Sequence, residues 1–383
     1  MRPGVAFLFS VISGAISIFG GIPSRAIASE RSLTDAQIAG QHVIFPFNGS
    51  TPPSWLVHRI RRGEAAGVLL FAGNGTSAVT VRRLTDRLQA ISRPPAVDAP
   101  LLIMVDQEGG PVRRLDGPPA LGAGRLAARP VLDSLRAGRS AGALLCRTGV
   151  NVNLAPVLDL SRPGSVIAAQ GRSFGPSPKS VARRGLQFAM GQGEWGVLSV
   201  PKHFPGLGAA SATTDDTPVT IGLPAPTLRA RDESPYRPLI RRGLPMIMVG
   251  TAIYPSIGSR PAALDARVVQ GELRERLGFR GVAISDALDT PALAPWGSHE
   301  RVAAVATRAG IDLLLYAGPG AARSAARGVR RAIGRNVVVH DRAVASVDRT
   351  LSMRRAMATA IVGPLPALSP RPLGRRGRPC PRG

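Results

Sequence analysis

Short apolar runs recur along the chain, separated by longer stretches in which apolar residues return every three or four positions. The runs 43–47, 67–71, 101–105, 150–154, 198–200, 246–249, 282–285 and 313–316 have the length and near-continuous hydrophobicity of buried parallel strands. Between them the spacing predicts helices over 79–91, 131–147, 181–192, 266–277 and 300–309. A last helix is predicted over 341–357, with Val344, Val347 and Leu351 on one face. Eight strands alternating with helices predict an α/β fold, a single-domain (β/α)8 barrel of the TIM type. An open doubly wound sheet fits the same alternation. The polar residues favour the barrel: Asp106, Asp159, His203 and Asp286 each stand at or a few residues past the C-terminal end of a different strand. Barrels assemble their sites from those ends.

The two ends of the chain carry no such alternation. Arg2, the apolar stretch 5–22 and Ala26-Ile27-Ala28 have the layout of an export signal, which places residues 1–28 in a signal peptide. Ser10, Ser13, Gly14 and Ser17 make the same stretch a weak membrane span, so no stable membrane insertion is expected after cleavage. Residues 29–360 are assigned to the barrel, and 361–383, full of Pro, Gly and Arg, to a disordered basic tail. Location in the cell envelope or outside the cell follows from the signal.

Composition changes this picture little. The net charge of +25 could attract nucleic acid or an anionic envelope surface. Only Lys179 and Lys202 are lysines, however, which leaves 47 of the 49 basic residues as arginine. An Arg-, Ala-, Gly- and Pro-rich composition is what GC-rich coding produces. The basic residues are spread along the chain without a recognition motif, so no nucleic-acid partner is expected. Cys146 sits in an apolar helical setting and reads as a buried thiol; Cys380 falls in the tail, and the protein is expected to be disulfide-free. No His/Asp/Glu set has metal-ligand spacing, and neither metal nor cofactor is expected. Gly206-Leu207-Gly208 starts like a dinucleotide loop but has Ser211 where a third glycine belongs.

The most informative stretch is Lys202-His203-Phe204-Pro205-Gly206-Leu207-Gly208, followed by Thr213-Thr214-Asp215-Asp216. It resembles the KHFPGHG…D-S/T-H signature of the family 3 glycoside hydrolases of the β-N-acetylhexosaminidase type. Four further segments are similar to that family, so the resemblance spans roughly residues 33–320. Asp106-Gln107-Glu108-Gly109-Gly110 with Val112-Arg113-Arg114 looks like DQEGGxVxR. Asn153-Leu154-Ala155-Pro156-Val157-Leu158-Asp159 looks like N-x-APVLD, and Gly171-Arg172-Ser173-Phe174 like a G-x-RS-F/Y turn shortened by one residue. Gly278-Phe279-Arg280-Gly281-Val282 to Ser285-Asp286-Ala287-Leu288 looks like GF-x-GV…SD-x-L.

The resemblance implies hydrolysis of β-linked N-acetylhexosaminides by a retaining mechanism. Asp286 would be the nucleophile, and Asp106, Arg114, Arg172, Lys202 and His203 would bind the sugar. The residue types suit those roles. An ionised carboxylate accepts from two sugar hydroxyls while Arg and Lys donate back. A retaining glycosidase also needs one carboxylate under the anomeric carbon and a second group to protonate the leaving oxygen. The chain departs from the family at that second group. The position of the dyad's Asp holds Thr213 and that of its His holds Asp215, and none of the five histidines falls within 206–218. Asp215 is the candidate general acid.

Plainer readings stand beside each assignment. Asp106 could cap a helix or pair with Arg113 and Arg114, and Asp286 could be a strand-end turn residue with Asp289 capping the next helix. His203 could be a satisfied core histidine, and 213–217 a polar turn with no acid. The partner expected is a carbohydrate substrate. The alternatives are a catalytically silent sugar-binding member of the family or a β-glycosidase of other specificity. Oligomeric state is not legible.

Overall fold

A computed structural model describes residues 33–360. The expected signal, 1–28, and tail, 361–383, lie outside the described residues. Eight parallel strands form one sheet: β1 Val43–Pro46, β2 Gly67–Leu69, β3 Leu102–Val105, β4 Val152–Asn153, β5 Leu198–Ser199, β6 Met246–Val249, β7 Val282–Ala287 and β8 Leu313–Leu315. Their order is β5-β4-β3-β2-β1-β8-β7-β6, so every strand lies beside its neighbour in sequence and β1 pairs with β8. An open doubly wound sheet has no such order.

The ring closes between β5 and β6 through the residues just past β5. The Met248 N–H donates to the Pro201 carbonyl (3.0 Å), the Phe204 N–H to the Met248 carbonyl (2.8 Å) and the Gly250 N–H to the Phe204 carbonyl (2.9 Å). On the other side, the Leu158 N–H donates to the Lys202 carbonyl (2.7 Å) and the Lys202 N–H to the Pro156 carbonyl (3.1 Å). Segment 201–204 is therefore barrel wall, held by its backbone on both edges.

Side chains alternate across that wall, as the pleat requires. Ile44, Met104, Val152, Met246, Met248, Val282 and Ile284 fill the barrel interior. Val43, Phe45, Ile103, Ile247, Val249 and Ala283 pack outward under the helices. The surrounding helices include α1 Asp35–Gln41, α2 Ser54–Arg61, α3 Ala78–Gln89, α4 Val131–Arg147, α5 Pro178–Gly193, α6 His299–Ala309 and α7 Pro319–Gly334. The segment expected as a helix over 266–277 is a π-helix, Arg267–Arg276, with Val268, Val269 and Leu273 buried.

The last helix, α8 His340–Ala360, plugs the N-terminal end of the barrel. Its Met353 and Met357 pack against the interior cluster. Arg354 is fully buried there, donating to the Gln41 side chain (2.6 Å) and to the carbonyls of Ala99 (3.0 Å) and Pro100 (2.8 Å). Burial pulls its guanidinium down to about 9, helped by the charges of Arg93 and Arg355. With that end sealed, chemistry is confined to the mouth at the opposite end.

One expectation is corrected. Cys146 is buried on α4, but it is disulfide-bonded rather than a simple thiol. Its apolar helical surroundings gave no hint of a bond. Cys380, the other cysteine of the chain, lies outside the described residues.

Candidate active site at the barrel mouth

β3 ends at Val105, and the chain runs on through Asp106 into a small antiparallel pair, Gln107–Gly109 with Val112–Arg113. Extended backbone puts residues two apart on one side, so Asp106 and Glu108 face together while Gln107 turns away. Gln107 pins the turn: its amide donates to the carbonyls of Leu115 (3.1 Å) and Pro118 (3.0 Å), and its oxygen accepts from the Arg114 N–H (3.0 Å).

Lys202, held in the wall by its backbone, points its ammonium between the two carboxylates, 2.6 Å from Asp106 and 2.8 Å from Glu108. Arg172, on the turn after β4, grips Glu108 from the other side with two N–H groups at 2.7 and 3.0 Å. Burial alone would push the Glu108 carboxyl up. Lys202 and Arg172 outweigh it and hold the group at about 2. Burial likewise opposes the charge on Lys202, yet Asp106 and Glu108 raise its pKa above the ordinary lysine value.

These shifts fix the sign of a pH effect. A carboxyl depressed from 4.5 to about 2 adds stability that is complete above pH 4.5 and is lost as pH falls toward 2. The contribution is about 3 kcal/mol. Acid titration of unfolding should therefore show a steeper loss of stability in that window than in Glu108→Gln. Parallel curves would mean that Glu108 is not ion-paired in solution.

His203 follows Lys202 and is organised by Asp159, a fully buried residue past β4. Asp159 accepts from the imidazole Nδ1 (2.7 Å), from the His203 backbone N–H (3.3 Å) and from the Leu207 N–H (2.6 Å). A carboxylate only accepts, so Nδ1 carries the proton and the ring edge at Nε2 faces Asp286, 3.9 Å from its Oδ2. Beyond His203 the chain is clamped: the Tyr254 hydroxyl donates to the Gly206 carbonyl (3.0 Å), and a Cβ at Gly208 would lie 2.2 Å from the Leu160 carbonyl oxygen.

Asp286 lies near the C-terminal end of β7 and accepts from the Ala287 N–H (2.8 Å). Burial raises its carboxyl above the ordinary range. The charge of Asp215 adds to that rise, while His203, the Ala287 N–H and Lys202 oppose it. Asp215 itself is exposed on the loop after the clamp, and its backbone N–H bonds the Thr213 hydroxyl (3.1 Å).

Asp106, Glu108, Arg172 and Lys202 thus form an ionic cluster, joined through the Lys202–His203 backbone to a second set, Asp159, His203 and Asp286, to make one group at the mouth. Arg114 is not joined to it through its side chain. Its backbone N–H donates to the Asp106 carbonyl (3.2 Å), but its Nε is buried without a hydrogen-bond partner. Its side of the mouth is a cavity of about 250 Å³ shared with Thr76, Arg113 and Asp116. A larger cavity, about 670 Å³, lies between segment 161–169, Pro176 and Ser211, and none of the group lines it. Among the described residues, no set of three or more His, Cys, Asp or Glu is arranged to hold a metal ion. Glu108 and Asp159 were not singled out as site residues from sequence. The i, i+2 relation of Asp106 and Glu108 carried the signal for the first; for the second it was a strand-end carboxylate one strand from His203.

Residues 52–352 match the family described as glycosyl hydrolase family 3 N terminal domain. The chain belongs to glycosyl hydrolase family 3. Among the relatives of this family 3 glycosidase is an uncharacterized secreted glycosyl hydrolase of Arthroderma benhamiae, 39% identical over 79% of this chain and 87% of the relative. A beta-hexosaminidase of Nitrosomonas eutropha is 36% identical over 65% of this chain and 72% of its own length. The solved structure of a family 3 beta-N-acetylglucosaminidase from Paenibacillus sp. superposes with a TM-score of 0.80 at 30% identity. It covers 88% of this chain, which spans 65% of that structure's length. The (β/α)8 architecture of this family 3 member agrees with that likeness. No helix among the described residues is long and apolar enough to cross a membrane.

Proposed function

We propose that the protein is an exported glycosidase that cleaves β-linked N-acetylhexosaminides with retention, through a covalent glycosyl-enzyme on Asp286. The observation that carries this reading is the placing of Asp286: a carboxylate at the barrel mouth, 3.9 Å from the Nε2 of a histidine whose other nitrogen is held by Asp159. Beside it stands the Lys202, Asp106, Glu108 and Arg172 cluster, which offers both donors and acceptors to sugar hydroxyls. In this reading Asp106, Arg114, Arg172, Lys202 and His203 bind the sugar, Arg114 by turning its unpaired guanidinium to the ligand. The preference for N-acetylhexosaminides is drawn from relatives named beta-hexosaminidase and beta-N-acetylglucosaminidase. Action outside the cytoplasm draws on the N-terminal pattern and on the relative named as secreted.

The leaving oxygen needs a proton, and Asp215 is the group assigned to give it. Asp215 is close enough for its charge to act on Asp286, and a retaining glycosidase uses a second carboxyl near the nucleophile. Asp215→Ala should slow aryl glycosides with poor leaving groups far more than activated ones, by about 100-fold against a few-fold. Azide should restore rate with activated substrates, since attack on the glycosyl-enzyme by azide needs no general base. A uniform loss across leaving groups, or none, removes Asp215 from that role. One observation favours a second reading, a sugar-binding protein without turnover: Asp215 is exposed and its side chain makes no ion pair with a described residue. Wild-type protein that binds N-acetylglucosamine but leaves every activated aryl glycoside intact would establish that reading instead.

A further inference from the structure

Glu108 is given no role at the reacting atoms above, yet it pairs with both cations of the mouth cluster. It is buried, it receives two N–H groups of Arg172, and it lies 2.8 Å from the Lys202 ammonium. Resting on the proposed glycosidase function, we propose that Glu108 is a positioning residue for the sugar. By bridging Arg172 and Lys202 it fixes where their free donors point and cancels their charge, so that the site takes uncharged pyranoses.

The donor count supports this. Lys202 has three N–H groups; Asp106 and Glu108 engage two and leave one. Arg172 has five; two go to Glu108 and one to Gln170 (3.1 Å), which leaves two, one on each terminal nitrogen. The site therefore presents three donors in fixed directions. Within this cluster two cations balance two carboxylates, so Lys202 and Arg172 offer an anionic sugar no uncompensated positive charge. Without Glu108 the guanidinium is free to turn toward Asp106 and Asp159, whose charges already act on it. One positive charge would then be left over in a site largely closed to water.

The sequence supplies an unusually direct probe, because Lys179 and Lys202 are the only lysines in 383 residues. Lysine-selective isotope labelling yields two side-chain signals, with exposed Lys179 as internal reference. In Glu108→Gln the Lys202 titration midpoint should fall by about one pH unit or more while Lys179 stays put. Affinity for N-acetylglucosamine by calorimetry, and 1/KM for an activated aryl N-acetylglucosaminide, should drop about tenfold or more. The kcat should change by less than about threefold, because the lost contacts act on binding rather than on the reacting atoms. An aryl β-glucuronide should gain in kcat/KM relative to the N-acetylglucosaminide. In Glu108→Ala, formate should restore sugar affinity and chloride should not.

An unmoved Lys202 midpoint, retained sugar affinity, or a loss in kcat equal to that in 1/KM would each overturn the proposal. Should Glu108→Gln not fold, Glu108→Asp serves instead: it keeps the charge but cannot reach both cations, and the same loss of affinity is expected. If wild-type protein neither binds N-acetylglucosamine nor cleaves any aryl glycoside, the functional reading fails, and the positioning role fails with it. The Lys202 midpoint then still decides whether the charge bridge exists.

Discussion

Asp286→Asn is expected to lower turnover of aryl β-N-acetylglucosaminides by about four orders of magnitude or more, whatever the leaving group. The amide keeps the shape and can still accept from the Ala287 N–H, but it cannot form the glycosyl ester. Stability should move the other way. Burial, with Asp215 adding to it, raises the Asp286 carboxyl, so the ionised side chain costs the fold free energy at every pH above that raised value. The unfolded chain ionises it freely near pH 4. Removing the charge removes the cost, and Tm at neutral pH should hold or rise. The same shift predicts that, with Asp286 as the proposed nucleophile, wild-type activity falls at a higher pH than an ordinary aspartate would give, since that group must be ionised to attack. Retained turnover in Asp286→Asn would place the nucleophile elsewhere; a marked loss of Tm would mean that the carboxylate is held by partners rather than strained by burial.

Lys202→Met should produce the largest loss in both folding and binding. Methionine fills much the same volume, so the change isolates the ammonium. Glu108 keeps Arg172, but Asp106 loses its partner and the two carboxylates then face each other. Lys202 is buried, so solvent screens little of the lost interaction. Removing one partner from such a buried arrangement costs about 3–5 kcal/mol. Calorimetry with N-acetylglucosamine should show at least about tenfold weaker binding. Urea unfolding close to wild type together with unchanged affinity would reduce Lys202 to a bystander.

Much of the architecture was legible because barrel strands bury both faces. Runs such as 101–105 and 246–249 are apolar throughout, and an amphipathic helix or a turn would have shown polar positions. Helix α7 was harder to see, since its buried stripe is Ala322, Ala325, Ala326, Val329, Ala332 and Ile333, mostly alanines that look neutral in a hydropathy pattern. Lys202, His203, Asp106, Arg172 and Asp286 announced themselves through family-like segments, and they do converge. Glu108 and Asp159 lie in such segments too, and Asp159 reads as a strand-end carboxylate, but neither declares a site role, because their importance lies in partners 64 and 44 positions away. Local sequence cannot report such pairs; they exist only once adjacent strands set the register. Arg114 shows the opposite limit. A segment can match a family pattern while the fold leaves its guanidinium apart from the cluster.

The closure of the barrel through 201–204 has a consequence for dynamics. Seven of the eight strand junctions are paired ladders, one of them with a register shift at Leu313–Leu315, whereas the β5–β6 junction rests on a few hydrogen bonds made by the residues that hold Lys202 and His203. That seam is where local opening should be easiest, and opening it scatters the site. A sugar held by Lys202 and His203 on one side of the seam and by Asp286 beyond the other would act as a clasp. Amide hydrogen exchange at Phe204, Met248 and Gly250 should then slow on ligand binding, while the β1–β8 junction across the barrel exchanges as before. Substrate would in this sense finish the barrel that binds it.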